Sequence, residues 1–467
     1  MSYADYLWTV AKCLRTDVRG EVASEQGQET LQNCVRVLTA IANALEASAA
    51  TPPTGALPPL TDARTHKGPP ENSALYGATE AFVAQTAQQI KNGELAAAAV
   101  RSLATWENNV IVAAVERMDE IEAAQPLLEQ NPALIIDRDR LEAYLRKASG
   151  EAELRIVKFR MAMGGRSRQT ALFEVEGAPS LPSRMVVQRG LPGMATSFAG
   201  PAVEFQVISR MHAAGVKAAR PVLVETAEDA LGAAFMVIGQ MPGKIVEGDY
   251  WAANAPLPIA RELAGQMAKV HAQPIGDLGA ILPDPRPNPS RQAWADELDR
   301  FEAIWRAKNN GASISMESAI AWLRANIDCI QDRRCIVHND MVFHNILAEN
   351  GEISAVLDWE QTAIGHPGED LGYCYPVVSR VMPWQDYMAA YRAAGGADIS
   401  DREVDYFSLR ALVRLTSLVF HGREAFEGGH TRDIVVAGAG AFFMQRLLRR
   451  LSDVLVDVLE RDKTRNA

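Results

Sequence analysis

The chain is poor in paired cysteine, in unbroken apolar runs and in surplus positive charge, and each shortage excludes something. Its five cysteines, Cys13, Cys34, Cys329, Cys335 and Cys374, are odd in number and never spaced as CxxC. That pattern argues against a disulfide scaffold or a zinc ribbon and suits thiols kept reduced as small core residues. No apolar stretch reaches the roughly 18 residues a membrane span requires. The opening MSYADYLWTVAKCLR has an acid, Asp5, where a secretory signal would carry basic residues. Together these features predict a cytoplasmic protein with no membrane partner. The formal charge of -11 argues against a nucleic-acid partner, since binding a phosphate backbone demands clustered Lys and Arg.

What remains is an ordinary globular composition, 48% hydrophobic and 22% charged over 467 residues, enough for two or three domains. Residues 1–130 are rich in Ala, Glu and Leu. Leu31, Cys34, Val35, Leu38, Ile41 and Leu45 recur at three- and four-residue steps, and Val100, Leu103, Trp106 and Val110 form a second stripe. Both spacings predict amphipathic helices, hence a helical bundle. Residues 51–70 between them hold six prolines and read as an extended linker. This N-terminal section is a candidate packing or homodimerisation module.

From about Glu151 the period changes. Leu154 to Phe159 alternates, Gly164-Gly165-Arg166-Ser167 follows, and Thr170 to Val175 alternates again, predicting two strands joined by a glycine turn. Ser183 to Arg189 predicts a third strand, Ala202 to Ala214 a helix and Ala234 to Gln240 another strand. Beyond Gly243 the pattern is mainly helical, apart from one hairpin.

That hairpin lies in the most informative segment, Cys335 to Asp370. A short apolar strand delivers His338-Asn339-Asp340, and Asn345 follows five positions after Asp340. Two short strands then flank Asn350-Gly351, the strongest two-residue type I′ turn signal. Pairing outward from that turn sets Glu349 against Glu352 and Asn345 against Val356. Asp358 then falls on the same face as Asn345, roughly 7–8 Å away on the diagonal. One hard cation could bridge an amide oxygen and a carboxylate at that spacing. An acid, an Asn five residues on and a hairpin leading to a second acid suit phosphoryl transfer: Asp340 as the base that holds an attacking hydroxyl, Asn345 and Asp358 as Mg²⁺ ligands. His338, Asp340, His344 and His366 offer a rival reading as ligands of a metallohydrolase, but that leaves the glycine turn unexplained.

The series His338-Asn339-Asp340, Asn345, Asp358-Trp359-Glu360, Gly365-His366-Pro367 and Asp370 resembles the aminoglycoside-phosphotransferase and choline-kinase-like superfamily. It is most similar to the kinase-like domains related to those fused to acyl-CoA dehydrogenases. The likeness runs from about Ile136 to the C-terminus and includes Glu204, Phe235 to Gly243 and Trp322-Leu323. It implies an α+β, bilobal protein-kinase-like fold carrying the extra N-terminal α-helical bundle. The small lobe would span 136–240, and the mainly helical large lobe 241–467.

The resemblance further implies that Gly164, Gly165 and Ser167 cover the phosphates of ATP or GTP. It places Gly239 to Met241 at the purine edge, Glu204 as anchor for the basic residue of the third strand, and Asp370 as a brace for the catalytic loop. The family carries Lys or Arg where this chain has Gln188, with Arg189 next. Strand alternation turns Arg189 away from the phosphates. Either Arg189 reaches around, or a bulge re-aims it, or the nucleotide lacks its usual cation. The implied acceptor is a small-molecule hydroxyl, on a metabolic alcohol or hydroxyacyl-CoA. Alternatives are an aminoglycoside or other antibiotic, and a pseudokinase scaffold that binds nucleotide without turnover.

Overall fold

The structure, a computed structural model, describes residues 34, 38, 100, 103–105, 136–162, 168–190, 200–247, 252–306, 313–427 and 434–465. The expected bundle and Pro-rich linker lie almost wholly outside them, as does the glycine turn with Gly164, Gly165 and Ser167. The chain divides into two compact units, one of 130–289 with 331–408 and the other of 1–129, 290–330 and 409–467. Among the described residues no helix is long and apolar enough to cross a membrane.

In the first of these units, helix α1 (Arg138–Ser149) begins where the Asp137 carboxylate accepts the backbone N–H groups of Asp139 and Arg140. It ends at Gly150, whose φ of 74° is the left-handed cap that glycine adopts without steric cost. Leu141 and Leu145, one turn apart, are its buried stripe.

Strands β1 (Arg155–Met161), β2 (Arg168–Glu176) and β3 (Arg184–Gly190) follow. After helix α2 (Pro201–Ala213) come β4 (Pro221–Glu225) and β5 (Phe235–Gly239). They form one antiparallel sheet in the order β1-β2-β3-β5-β4. Ala171, Phe173 and Val175 of β2, Met185 and Val187 of β3, and Phe235 and Val237 of β5 share a core with Leu141 and Leu145. Period-two alternation leaves Thr170, Leu172, Val186 and Gln188 half-buried on the opposite face.

β6 (Lys244–Ile245) is the stitch to the next layer. It pairs with β8 (Ile346–Glu349), which pairs with β9 (Glu352–Val356). Gly243 makes this approach possible: at φ 101° it lies so close to β8 that a Cβ there would sit 2.4 Å from the carbonyl oxygen of Ala348. β7 (Cys335–Val337) pairs with β10 (Ala363–Gly365). Around these strands lie helices α3 (Leu257–His271), α6 (Gly368–Val378) and α7 (Trp384–Ala393), with α3 packed on both α7 and β9.

The other unit contains α4 (Arg291–Arg306), α5 (Ile314–Asn326) and α9 (Ile434–Arg465). The α8 helix (Asp401–Glu427) begins in one unit and ends in the other. Arg410 clasps Glu297 with two hydrogen bonds, of 2.7 and 2.8 Å, both side chains buried. Trp322 donates its indole N–H to Asp462 at 2.6 Å.

The hairpin register differs from the sequence expectation. Asn350 and Gly351 have positive φ, as a type I′ turn demands, and Glu349 faces Glu352. Beyond that, Ala348 pairs with Ile353 but Leu347 pairs with Ala355, so Ser354 is an extra residue bulged from β9. Val356 therefore faces Ile346, and Asn345 faces Leu357, whose N–H reaches the Asn345 carbonyl at 2.8 Å. The bulge lets the Ser354 hydroxyl donate to the Pro242 carbonyl at 2.5 Å, a contact that turn chemistry alone could not foretell.

Candidate active site

The β7 strand ends in a loop bent at Asn339, whose φ of 65° is a left-handed conformation Asn tolerates. One carboxylate secures the bend. Asp370, in the first turn of α6, accepts the N–H of His338 at 2.8 Å and the N–H of Asn339 at 2.6 Å. His271 of α3 stands 2.9 Å from the same carboxylate, its other ring nitrogen 2.7 Å from the Tyr391 hydroxyl. The loop is thus tied to two helices.

His338 is fully buried and serves this loop internally. Its Nε2 lies 3.0 Å from the carbonyl of Leu357, and its Nδ1 accepts the N–H of Asp340 at 3.2 Å. Those contacts assign a neutral ring protonated at Nε2, and burial accordingly lowers its pKa. Both nitrogens being engaged with backbone, His338 is not a metal ligand here. The Nδ1 of His366 likewise accepts the N–H of Gly368 at 3.0 Å. The metallohydrolase reading therefore loses two of its four ligands.

Asp340 is 4% exposed. Its Oδ1 accepts the hydroxyl of Tyr373 at 2.5 Å and its Oδ2 the side-chain amide of Gln361 at 3.2 Å; His344 Nε2 is 3.3 Å from Oδ1. Burial pushes the Asp340 carboxyl up, but His344 and the Tyr373 hydroxyl outweigh it and hold it below the ordinary value. It is a buried carboxylate that stays ionised. The Asn345 amide N–H donates to the Asp340 carbonyl at 3.0 Å, leaving Oδ1 as that side chain's acceptor.

Asp358 takes a left-handed conformation, φ 62°, just beyond β9. Its side chain is exposed to solvent. Desolvation and the neighbouring Asp340 push its carboxyl up to about 6, while Arg168 and His344 pull it down. Asp340, Asp358, Arg168 and His344 therefore share one electrostatic neighbourhood.

The sequence expectation for Glu204 needs correction. This glutamate, 2% exposed on α2, is ion-paired not with a third-strand residue but with Arg168 of β2. Its other oxygen accepts the N–H of Trp359 at 3.2 Å, and Arg168 Nε lies 3.5 Å from Glu360. Arg189 neither reaches around nor is re-aimed by a bulge. It sits on the core face of β3, where it donates to the Leu231 carbonyl at 2.6 Å and to the Gln169 side chain. Gln188 stays on the opposite, half-buried face.

Gly239 closes β5 with its N–H bonded to the Arg220 carbonyl at 2.8 Å, and Met241 follows in the link to β6. The structure thus brings Asp340, Asn345, Asp358 and Glu204 into one region and leaves Arg189 out of it. Sequence reasoning missed Arg168, Tyr373 and Gln361. A signal existed for Arg168, because it shares strand parity with Thr170, the residue that faces Gln188.

An antiparallel sheet with one flanking helix, joined by a short link to a layer that carries a braced His-Asn-Asp loop and an acid after a hairpin, is the bilobal kinase-like fold. Residues 161–412 match the phosphotransferase enzyme family, more than half of the chain, and the protein belongs to that family. A solved Ralstonia eutropha structure assigned as an aminoglycoside phosphotransferase superposes with a TM-score of 0.52 at 16% identity, over 69% of this chain and 98% of that one. Among curated proteins, acyl-CoA dehydrogenase family member 11 of Rattus norvegicus is 25% identical over 36% of this chain. Family member 10 of Mus musculus is 26% identical over 51%. The matched region spans only 22% of either relative's length.

Proposed function

We propose that this chain is a small-molecule kinase that moves the γ-phosphoryl group of ATP or GTP, bound with Mg²⁺, to a hydroxyl of its acceptor. The observation that carries this reading is the placement of Asp340: buried, held by Tyr373 and Gln361, on a loop followed by a hairpin that leads to a second acid, Asp358.

The residues present fit Mg²⁺. Asp340 and Asp358 repel one another, a stress that a hard dication would relieve, and Asn345 retains an amide oxygen as acceptor. Among the described residues no three His, Cys, Asp or Glu side chains gather into a cage. Kinase-type Mg²⁺ needs none, since one or two carboxylates suffice beside the substrate phosphates. Asn345 and Asp358 would hold it. The bound Mg-nucleotide supplies the phosphoryl group and offsets its charge.

The chain's own residues do the rest. Asp340 orients the acceptor hydroxyl and takes its proton. A carboxylate held below its ordinary pKa is a weak base, which suits a loose transition state that demands little deprotonation before transfer. Tyr373 and Gln361 fix the carboxylate plane, and Asp370 fixes the loop. Gly164, Gly165 and Ser167 would cover the phosphates with backbone N–H groups, and Gly239 to Met241 would meet the purine edge. Gln188 would add a neutral donor on the cleft face.

For the acceptor we favour a hydroxylated acyl thioester or another metabolic alcohol, because the curated relatives carry acyl-CoA dehydrogenase names. A second reading, a nucleotide-binding scaffold without turnover, draws on Gln188, since a neutral side chain stands where the family has a cation. The cysteine pattern supports a cytoplasmic location, and the N-terminal section a role in self-association.

The full chain with Mg-ATP or Mg-GTP, offered hydroxyacyl-CoA thioesters and a panel of alcohols, should form a phosphate ester visible by ³¹P NMR. Asp340→Asn should lower transfer about 10²–10⁴-fold with nucleotide affinity retained. Full turnover in that variant would remove Asp340 from the reaction. Nucleotide binding with no turnover on any acceptor would favour the scaffold.

A further inference from the structure

We propose that Arg168, at the start of β2, supplies the cation that grips the nucleotide phosphates, in place of the β3 residue that supplies it elsewhere in this fold. The inference deepens the kinase reading and rests on it.

On β3 the half-buried face opposite the core carries Gln188, which is neutral, and the adjacent Arg189 lies on the core face with its guanidinium on the Leu231 carbonyl and Gln169. The cation has moved one strand over. In the observed register Thr170 faces Gln188, so Arg168, two residues earlier on β2, occupies the diagonal position on the same face. Diagonal neighbours in an antiparallel pair lie roughly 7–8 Å apart, a gap that an arginine side chain spans.

Arg168 also makes the contacts a phosphate-gripping cation needs. Glu204 of α2 pairs with it, and Glu360 lies 3.5 Å from its Nε. The residue immediately follows the 163–167 segment that contains Gly164 and Gly165. A planar guanidinium suits phosphate oxygens better than a point charge, because it offers parallel N–H donors. Only 7% of Arg168 is exposed, so it meets the phosphates in a desolvated setting where charge counts for more. Two carboxylates around one guanidinium give it a fixed orientation before nucleotide arrives.

Titration calorimetry of the full chain with AMP, ADP and Mg-ATP tests the assignment. In the unaltered protein, affinity should climb with each added phosphate. Arg168→Gln should flatten that climb, lowering Mg-ATP affinity about tenfold or more with little change for AMP, since one charge-assisted contact is lost. A merely structural arginine would weaken all three nucleotides alike. Arg189→Gln should keep the climb. In the double variant Arg168→Gln/Gln188→Lys, a cation returned to β3 on the same face should restore it. A climb that survives Arg168→Gln, in a variant with unchanged circular dichroism, overturns the assignment and leaves the kinase reading intact. Failure of the unaltered chain to bind any of the three nucleotides overturns both. An Arg168→Gln variant that does not fold is resolved by Arg168→Lys, which keeps the charge and must retain the climb.

Discussion

Asp370 accepts the backbone N–H of Asn339 at 2.6 Å, and with it the bend that presents Asp340. The same carboxylate takes the N–H of His338 and meets His271. One side chain on α6 therefore holds a loop that Asn339 alone, in a left-handed conformation, would not favour. Asp370→Ala would strip two buried N–H groups of their acceptor. At about 1–3 kcal/mol for each orphaned group, urea denaturation should register a loss of about 2–6 kcal/mol. Transfer should fall further than the loss of folded protein explains.

Asp358 lies beside Asp340, and each acid disfavours the charge of the other. Asp358→Ala should abolish the dependence of nucleotide affinity on Mg²⁺, leaving the weaker metal-free affinity. Calorimetry with and without EDTA reads this directly. An unchanged response to Mg²⁺ would exclude Asp358 as a ligand.

His366 supplies a pH dependence of stability. It stacks on Phe407 with ring centroids 4.6 Å apart, and its Nε2 lies 3.7 Å from Glu403. Burial pushes its pKa down to about 4 although Glu403 and Glu369 favour the proton, with Arg333 opposing them. An unfolded histidine titrates near 6.5, so between those values the unfolded chain binds the extra proton. Stability contributed by the neutral ring is complete above about pH 6.5 and drains away as pH falls toward 4. Between pH 7.5 and 5 this one group should cost about 2 kcal/mol. Urea titrations at both pH values should show a smaller difference for His366→Gln. An equal difference would mean that other groups set the acid limb.

Gly243 joins the sheet of α2 to the hairpin layer, at φ 101° and against the Ala348 carbonyl. Gly243→Ala meets both a forbidden dihedral region and a backbone oxygen that cannot step aside. The expected cost is about 3 kcal/mol or more by thermal denaturation, read from the shift in midpoint. A tolerated alanine would mean that β6 detaches from β8 without penalty.

The chemistry-bearing loop was legible because its parts are close in sequence. Asp340 and Asn345 are five residues apart, and Asn350-Gly351 turns the hairpin as its backbone preferences require. Strand alternation also predicted that Arg189 and Gln188 would lie on opposite faces of β3, and they do. The register beyond the turn was not legible. Ser354 bulges to reach the Pro242 carbonyl, a partner 112 residues away, and no local propensity encodes that.

The sequence alone determined strands β1, β2, β3 and β5 and the β8–β9 turn, though not β4, β6 or β10, together with the charge pattern and the acid that follows β7, since each follows from period and neighbouring residue type. Only the tertiary structure decided which arginine pairs with Glu204 and which side chains complete Asp340. Tyr373 and Gln361 come from 33 and 21 residues further along. A buried charge takes whatever partner the packed elements bring within a few ångströms, and that partner is set by sheet register and helix docking, which are properties of the whole fold.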